Sequence, residues 1–154
     1  MLDKPKVVVL GVGNLLLQDE GVGVHFVQAL NKDDLDYVNL EIIDGGTSPE
    51  IVSLVEGADK LIIIDAVKGG KEPGTIYRFG IDDVNLDSPM RLSLHQMDVI
   101  DSLRMLNLLG SCPKTIVIGI EPKTIDLGSE LSPEIQSKIP EITRLVMKEI
   151  KESE

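Results

Sequence analysis

Two nearly continuous apolar runs, Val7 to Val12 and Leu61 to Val67, constrain most strongly what this chain can become. A strand with one face in water alternates apolar and polar residues; a run without alternation is covered on both faces, as in a parallel sheet between helices. Thr115 to Ile120 supplies another buried strand. Val38 to Ile43 alternates with Asn39 and Glu41 and reads as a more exposed neighbour. Between Val12 and Val38, Val22, Phe26, Val27 and Leu30 recur at helical spacing, while His25, Gln28 and Asn31 fall elsewhere on the wheel, which leaves His25 solvated. Strand, helix and strand together make a βαβ unit.

The remaining segments extend the pattern. Ser48-Pro49-Glu50 predicts a helix start, with Ser48 as cap, Pro49 in the first turn, and Ile51, Leu54 and Val55 turned inward. Lys68 to Gly74 is rich in turn residues and leads into the alternating run Thr75 to Phe79, an antiparallel edge strand. A polar loop through Asp82, Asp83 and Asp87 ends at His95, and Val99, Ile100, Leu103 and Leu106 then mark a helix that stops at Gly110. The last segment starts at Ser132-Pro133-Glu134 and carries Ile135, Ile139, Ile142, Leu145, Val146 and Ile150 near one face. Pro140 makes it either one kinked helix or a short turn followed by a longer helix. Its charged end is expected to fray into solvent. No repeat or linker divides the chain, so residues 1–154 are expected to form a single domain.

Composition excludes several function classes. The formal net charge of −11 repels a phosphate backbone, and with no Trp, two Phe and two Tyr there is no stacking platform for single strands. Nucleic acid is not an expected partner. Cys112 is the only cysteine, which excludes an intrachain disulfide and a thiolate zinc cage, and as a small residue before Pro113 it is expected to pack rather than react. The apolar run near the N-terminus is far shorter than the roughly 20 residues of a spanning helix, so neither membrane insertion nor a signal segment is expected. The expected setting is the cytoplasm and the default state a monomer.

The first strand ends in Gly11-Val12-Gly13, which opens like a dinucleotide loop, but Leu16 stands where the third glycine of that fingerprint belongs. Asp19 and Glu20 instead occupy the position where the next helix should start. Two resident acids fill the field that would otherwise attract a phosphate, so the loop presents oxygen to a cation. Either acid could also serve only to complement the helix dipole.

Glu20 after the first strand, Asp65 at the end of the third and His95 at a helix start all fall at element ends. In an open α/β sheet the crevice beyond the carboxyl ends of the strands is where ligands bind. Two carboxylates about 4 Å apart repel by about 4 kcal/mol at an effective dielectric near 20, and a divalent cation reverses that penalty. One imidazole with two carboxylates suits nickel, zinc, iron or manganese. A carboxylate that ends a buried run, as Asp65 does, must be hydrogen-bonded, paired or functional. His95 read alone could be only a cap, and Asp44 before Gly45-Gly46-Thr47 could be only a turn former.

At this point the chain resembles the hydrogenase maturation proteases, endopeptidases that trim the large subunit of nickel-iron hydrogenases. The matching motifs are GxGNxLxxDEGxG at Gly11 to Gly23, DGGT at Asp44 to Thr47, LIIIDAV at Leu61 to Val67, LHQ at Leu94 to Gln96, and GIEP with LSPE between Gly119 and Glu134. The resemblance implies an α/β three-layer sandwich: a twisted five-stranded, mostly parallel sheet with one antiparallel edge strand and helices on both faces. It implies that Glu20, Asp65 and His95 bind metal, and that the partner is a large-subunit precursor carrying nickel, for which other divalent metals can substitute. Cleavage would release a C-terminal peptide. The nickel would be the substrate's own, bridged by the three side chains, so that cutting waits for metal. Whether the metal activates water, or Glu20, Asp65 or Asp19 acts as general base, stays open at this level. Asp44, Gly45, Gly46 and Thr47 are assigned to substrate binding. The competing readings are a peptidyl-tRNA hydrolase-like enzyme, which shares the early GxGN but needs a basic surface, and a non-catalytic metal- or nucleotide-binding module.

Overall fold

The structure, a computed structural model, describes residues 4–30, 39–83 and 91–152. Asn31, Val38 and Asp87, which entered the sequence reading, lie outside the described residues, as does the side chain of Leu94.

Five strands form one sheet in the order β2-β1-β3-β5-β4: β1 (Lys6–Val12), β2 (Asn39–Gly46), β3 (Lys60–Ala66), β4 (Ile76–Gly80) and β5 (Lys114–Ile120). β1 pairs parallel with β2 and β3, β3 pairs parallel with β5, and β4 closes one edge antiparallel to β5. The expected mostly parallel sheet with one antiparallel edge strand is therefore the observed one. β3 is buried along its whole length and β1 from Val7 onward, whereas edge strand β2 is not, which is the physical content of their apolar runs and its alternation.

Alternate residues feed two cores. Val7, Val9, Ile62, Ile64, Ile116 and Ile118 cluster with Val22, Phe26 and Val27 of α1 (Val22–Ala29) and with Ile142, Val146 and Ile150 of α5 (Ile139–Lys151). Val8, Leu10, Leu61, Ile63 and Val117 cluster with Ile51 of α2 (Ile51–Leu54) and with Val99, Leu103 and Leu106 of α3 (Leu94–Leu108). Helices thus cover both faces of the sheet.

Several local expectations are corrected. Ser48 does not cap α2: the helix starts at Ile51 behind Glu50, and no side chain caps it. Asp19 and Glu20 lie in a separate 3-10 turn, Gln18–Gly21, and α1 begins only at Val22. Of the two alternatives at Pro140 the second holds, since α4 (Pro133–Gln136) ends before Pro140 enters the first turn of α5, where a missing N–H costs nothing. His25 is half-buried rather than solvated, with its Nε2 buried and unbonded. The charged end does not fray before Lys151: Ile150 is fully buried, and buried Glu149 accepts hydrogen bonds from Lys60 Nζ at 2.8 Å and from Arg78 Nε. An ion pair taken out of water holds only when its geometry is good and its other atoms are satisfied; Lys60 Nζ also reaches the Glu149 carbonyl at 2.7 Å. Helix α5 is thereby tied to β3 and β4.

Candidate functional site

Asp65 sits at the carboxyl end of β3, only 4% exposed. Its Oδ1 accepts from the Ala66 amide at 2.8 Å and its Oδ2 from Gln96 Nε2 at 2.8 Å. Gln96 is itself fully committed. Its Nε2 also donates to the Ala66 carbonyl at 2.7 Å, while its Oε1 accepts from the Ser93 amide at 2.9 Å. Ser93 is the N-cap of α3, and Ser93 and Gln96 form a reciprocal capping box. One side chain therefore both starts α3 and ties that start to the end of β3.

That tie places His95 over Asp65. The imidazole Nε2 is 3.7 Å from Asp65 Oδ2, a charge contact too long to be a hydrogen bond. Ser93 Oγ lies 3.1 Å from Nδ1 and 3.2 Å from Nε2, so the hydroxyl can serve either ring nitrogen. His95 is thus not the cap of its helix.

Glu20 reaches the same place through the glycines of the first motif. Gly13 adopts φ +146°, and a Cβ there would stand 2.0 Å from the Glu20 carbonyl oxygen; a Cβ on Gly23 would stand 2.1 Å from that of Ile64. Only bare backbone lets the turn close this tightly and α1 approach β3 this nearly. The amides that would cradle a phosphate are already used, Gly13 N by the Gly46 carbonyl at 2.9 Å and Asn14 N by the Glu20 carbonyl at 3.3 Å. A nucleotide-binding reading loses its donors.

The electrostatics couple the three side chains. Burial pushes the Glu20 carboxyl above its usual pKa and the Asp65 charge pushes it further, while His95 and Lys68 pull the other way. Burial also raises Asp65, against the stabilising contacts of His95, Gln96 and the Ala66 amide. The Asp65 carboxylate beside His95 raises the imidazole pKa, with added help from Glu20 and Asp98 and against burial. Two desolvated carboxylates thus share a field that His95 relieves at both and Lys68 at Glu20. The donor types fit a borderline divalent metal. Among the described residues, however, no three His, Cys, Asp or Glu side chains stand close enough together to hold a metal ion.

Asp19 is bonded elsewhere although adjacent in sequence. It is fully buried, and it accepts from the Lys123 and Thr124 amides at 2.9 Å each and from the Ser132 amide and hydroxyl at 2.8 Å each. Burial raises its pKa, but these hydrogen bonds outweigh that and hold it below the usual carboxylate value. Its lone pairs brace the loop between β5 and α4. Asp44, Gly45 and Gly46 end β2 on the same rim of the sheet. Asp44 Oδ1 accepts from the Gly46 amide at 3.1 Å and Oδ2 from Gln28 at 3.3 Å, and Thr47 is exposed beside them. No hydrogen bond or ion pair links these four residues to Glu20, Asp65 or His95 among the described residues.

The sequence reading missed Gln96 and Glu121 as individual residues. Glu121, 7% exposed, accepts at Oε1 from the Gly69 amide at 2.8 Å, the Lys71 amide at 3.3 Å and the Tyr77 hydroxyl at 2.6 Å, and so fixes the loop after β3. Burial and the Glu121 carboxylate push the Tyr77 hydroxyl up to about 12. The signal was available: Glu121 follows a buried apolar strand just as Asp65 ends one.

The family model for hydrogenase maturation protease matches residues 24–149. The Hydrogenase 2 maturation protease of Escherichia coli is 35% identical over 153 residues, covering 96% of this chain and 92% of that protein. The hydrogenase expression/formation protein HupD of Thiocapsa roseopersicina is 36% identical over 143 residues, and the match covers 90% of this chain but only 65% of that relative's length. Among solved structures, the hydrogenase maturating endopeptidase HybD from E. coli superposes with a TM-score of 0.81 at 31% identity, covering 96% of this chain and 93% of that one.

Proposed function

The chain belongs to the hydrogenase maturation protease family, and from that premise we propose that it is an endopeptidase removing a C-terminal peptide from a nickel-loaded hydrogenase large-subunit precursor. The observation that carries the reading is the electrostatic coupling of Glu20, Asp65 and His95 at the carboxyl rim of the sheet, burial raising the pKa of both carboxyls and the carboxylates in turn raising that of the imidazole. A substrate-borne dication would relieve that field.

Each side chain then has a role. Asp65, both oxygens engaged, orients His95 and lends it negative charge. His95 and Asp65 grip the substrate's metal, and Glu20 joins them. No donor reaches the Glu20 carboxylate among the described residues, so its lone pairs remain available to take a proton from an attacking water. Its raised pKa moves it toward the range where a base is effective. Asp19 is a brace rather than the base, because four donors already occupy its oxygens. The Asp44 to Thr47 turn borders the cleft and contacts the substrate further from the reacting bond.

Incubating the protein with nickel-loaded and with metal-free precursor, scored by mass spectrometry, tests the metal requirement. Cleavage confined to the loaded precursor is expected. Equal cleavage of both would remove the nickel signal while leaving a peptidase.

A further inference from the structure

A crevice beside the cleft gathers cations on a chain with a formal net charge of −11. It has a volume of about 430 Å³ and is lined by Lys68, Arg91 and Lys123 together with Glu121 and Ile125. Lys68 and Arg91 face each other across an antiparallel β-bridge, with the Arg91 amide donating to the Lys68 carbonyl at 2.9 Å. Directly opposed residues of an antiparallel pair project their side chains to the same side, and like charges so placed are destabilising. Both are exposed, and no carboxylate pairs with either among the described residues. The third cation is anchored differently, Lys123 being paired with Glu134. Glu121 is turned to other work, its Oε1 holding two amides and the Tyr77 hydroxyl.

We propose that this crevice is an anion subsite that takes a carboxylate of the precursor's peptide as that segment crosses Glu20 and Asp65. The proposal rests on the maturation-protease reading and deepens it by naming an acidic peptide as the segment recognised. Lys68 lies three residues beyond Asp65 and acts electrostatically on Glu20, so the crevice adjoins the cluster. An acidic surround repels polyanions at long range, which leaves short-range pairing with one or two carboxylates as what the crevice can select. Its rim is apolar. Beyond Ile125, Leu127 is 85% exposed, and Leu16, whose carbonyl accepts from the Gly128 amide, is 67% exposed. An extended peptide could use both surfaces; a free inorganic anion could use only the first.

Two measurements on the full chain test this. In backbone NMR, capped tetra-aspartate, capped tetra-lysine and sodium phosphate are titrated separately. Tetra-aspartate is expected to shift the amides of Lys68, Gly70, Arg91 and Lys123, at concentrations where tetra-lysine shifts none, and Arg91→Glu should abolish the response. Shifts scattered over the surface, or equal shifts with phosphate, would overturn the peptide subsite. In the processing assay, Arg91→Glu is expected to raise KM roughly 10-fold with kcat kept, and Arg91→Lys to restore most of it. An unchanged KM in Arg91→Glu overturns the proposal. Failure of the wild-type chain to process any precursor, with the localised tetra-aspartate shifts intact, would sink the protease reading and support the subsite.

Discussion

His95 Nε2 lies 3.7 Å from Asp65 Oδ2, across the junction where the end of β3 meets the start of α3. This contact raises the imidazole pKa above the ordinary 6.5. NMR titration of the His95 ring should therefore show a raised pKa that falls in Asp65→Asn and falls less in Glu20→Gln, the more minor contributor. The sign for stability follows. A pKa raised on folding contributes stability that is complete below the unfolded value and is lost as pH rises through the folded one. The advantage of wild type over His95→Ala should accordingly shrink as the pH passes upward through the neutral range. An imidazole pKa unaffected by Asp65→Asn would dissolve the assigned coupling.

Asp19 gives the opposite sign. Its pKa is lowered, so its contribution is present above the ordinary value of 3.8 and is lost as pH falls through the folded one. Asp19→Asn turns an amide toward the Lys123, Thr124 and Ser132 donors and should cost about 3 kcal/mol at neutral pH. In urea titrations that gap should stay constant above about pH 5 and narrow in strong acid. A folded Asp19→Asn with full neutral stability would show that the brace is dispensable.

Glycine substitutions separate close approach from backbone freedom. Gly13→Ala places a Cβ 2.0 Å from the Glu20 carbonyl at φ +146°, and a loss of about 3 kcal/mol or more is expected. Gly57→Ala, at φ +74° with open space around it, should cost only about 1 kcal/mol. Equal midpoints in denaturant for the two variants would contradict the packing role of the first motif.

The sheet was legible because burial on both faces leaves a mark that needs no partner to read: Val7 to Val12 and Leu61 to Val67 carry no polar residue to turn toward water until Asp65. Asp65 was legible for the same reason, as the charge that ends such a run. What escaped depends on residues distant in sequence. Glu149 stays buried because Lys60, 89 residues away, meets it, and Asp19 is held by the Ser132 hydroxyl 113 residues away. His25 falls on the polar side of its helical wheel, yet its Nε2 is buried in the fold. The Gly11 to Gly23 motif was read through its acids; the fold adds that its glycines bring one of them to the cleft rim and its turn sends the other into a structural brace.

A last variant set addresses the site as a whole. Glu20→Gln, Asp65→Asn and His95→Ala are incubated with nickel-loaded large-subunit precursor, and the released C-terminal peptide is followed by mass spectrometry, with circular dichroism to verify folding. Each folded variant should lose processing by roughly 100-fold or more, the scale of losing a group that acts on the reacting atoms or their metal. Trimming at near wild-type rate by all three would contradict the assignment of this cleft as the place of cleavage.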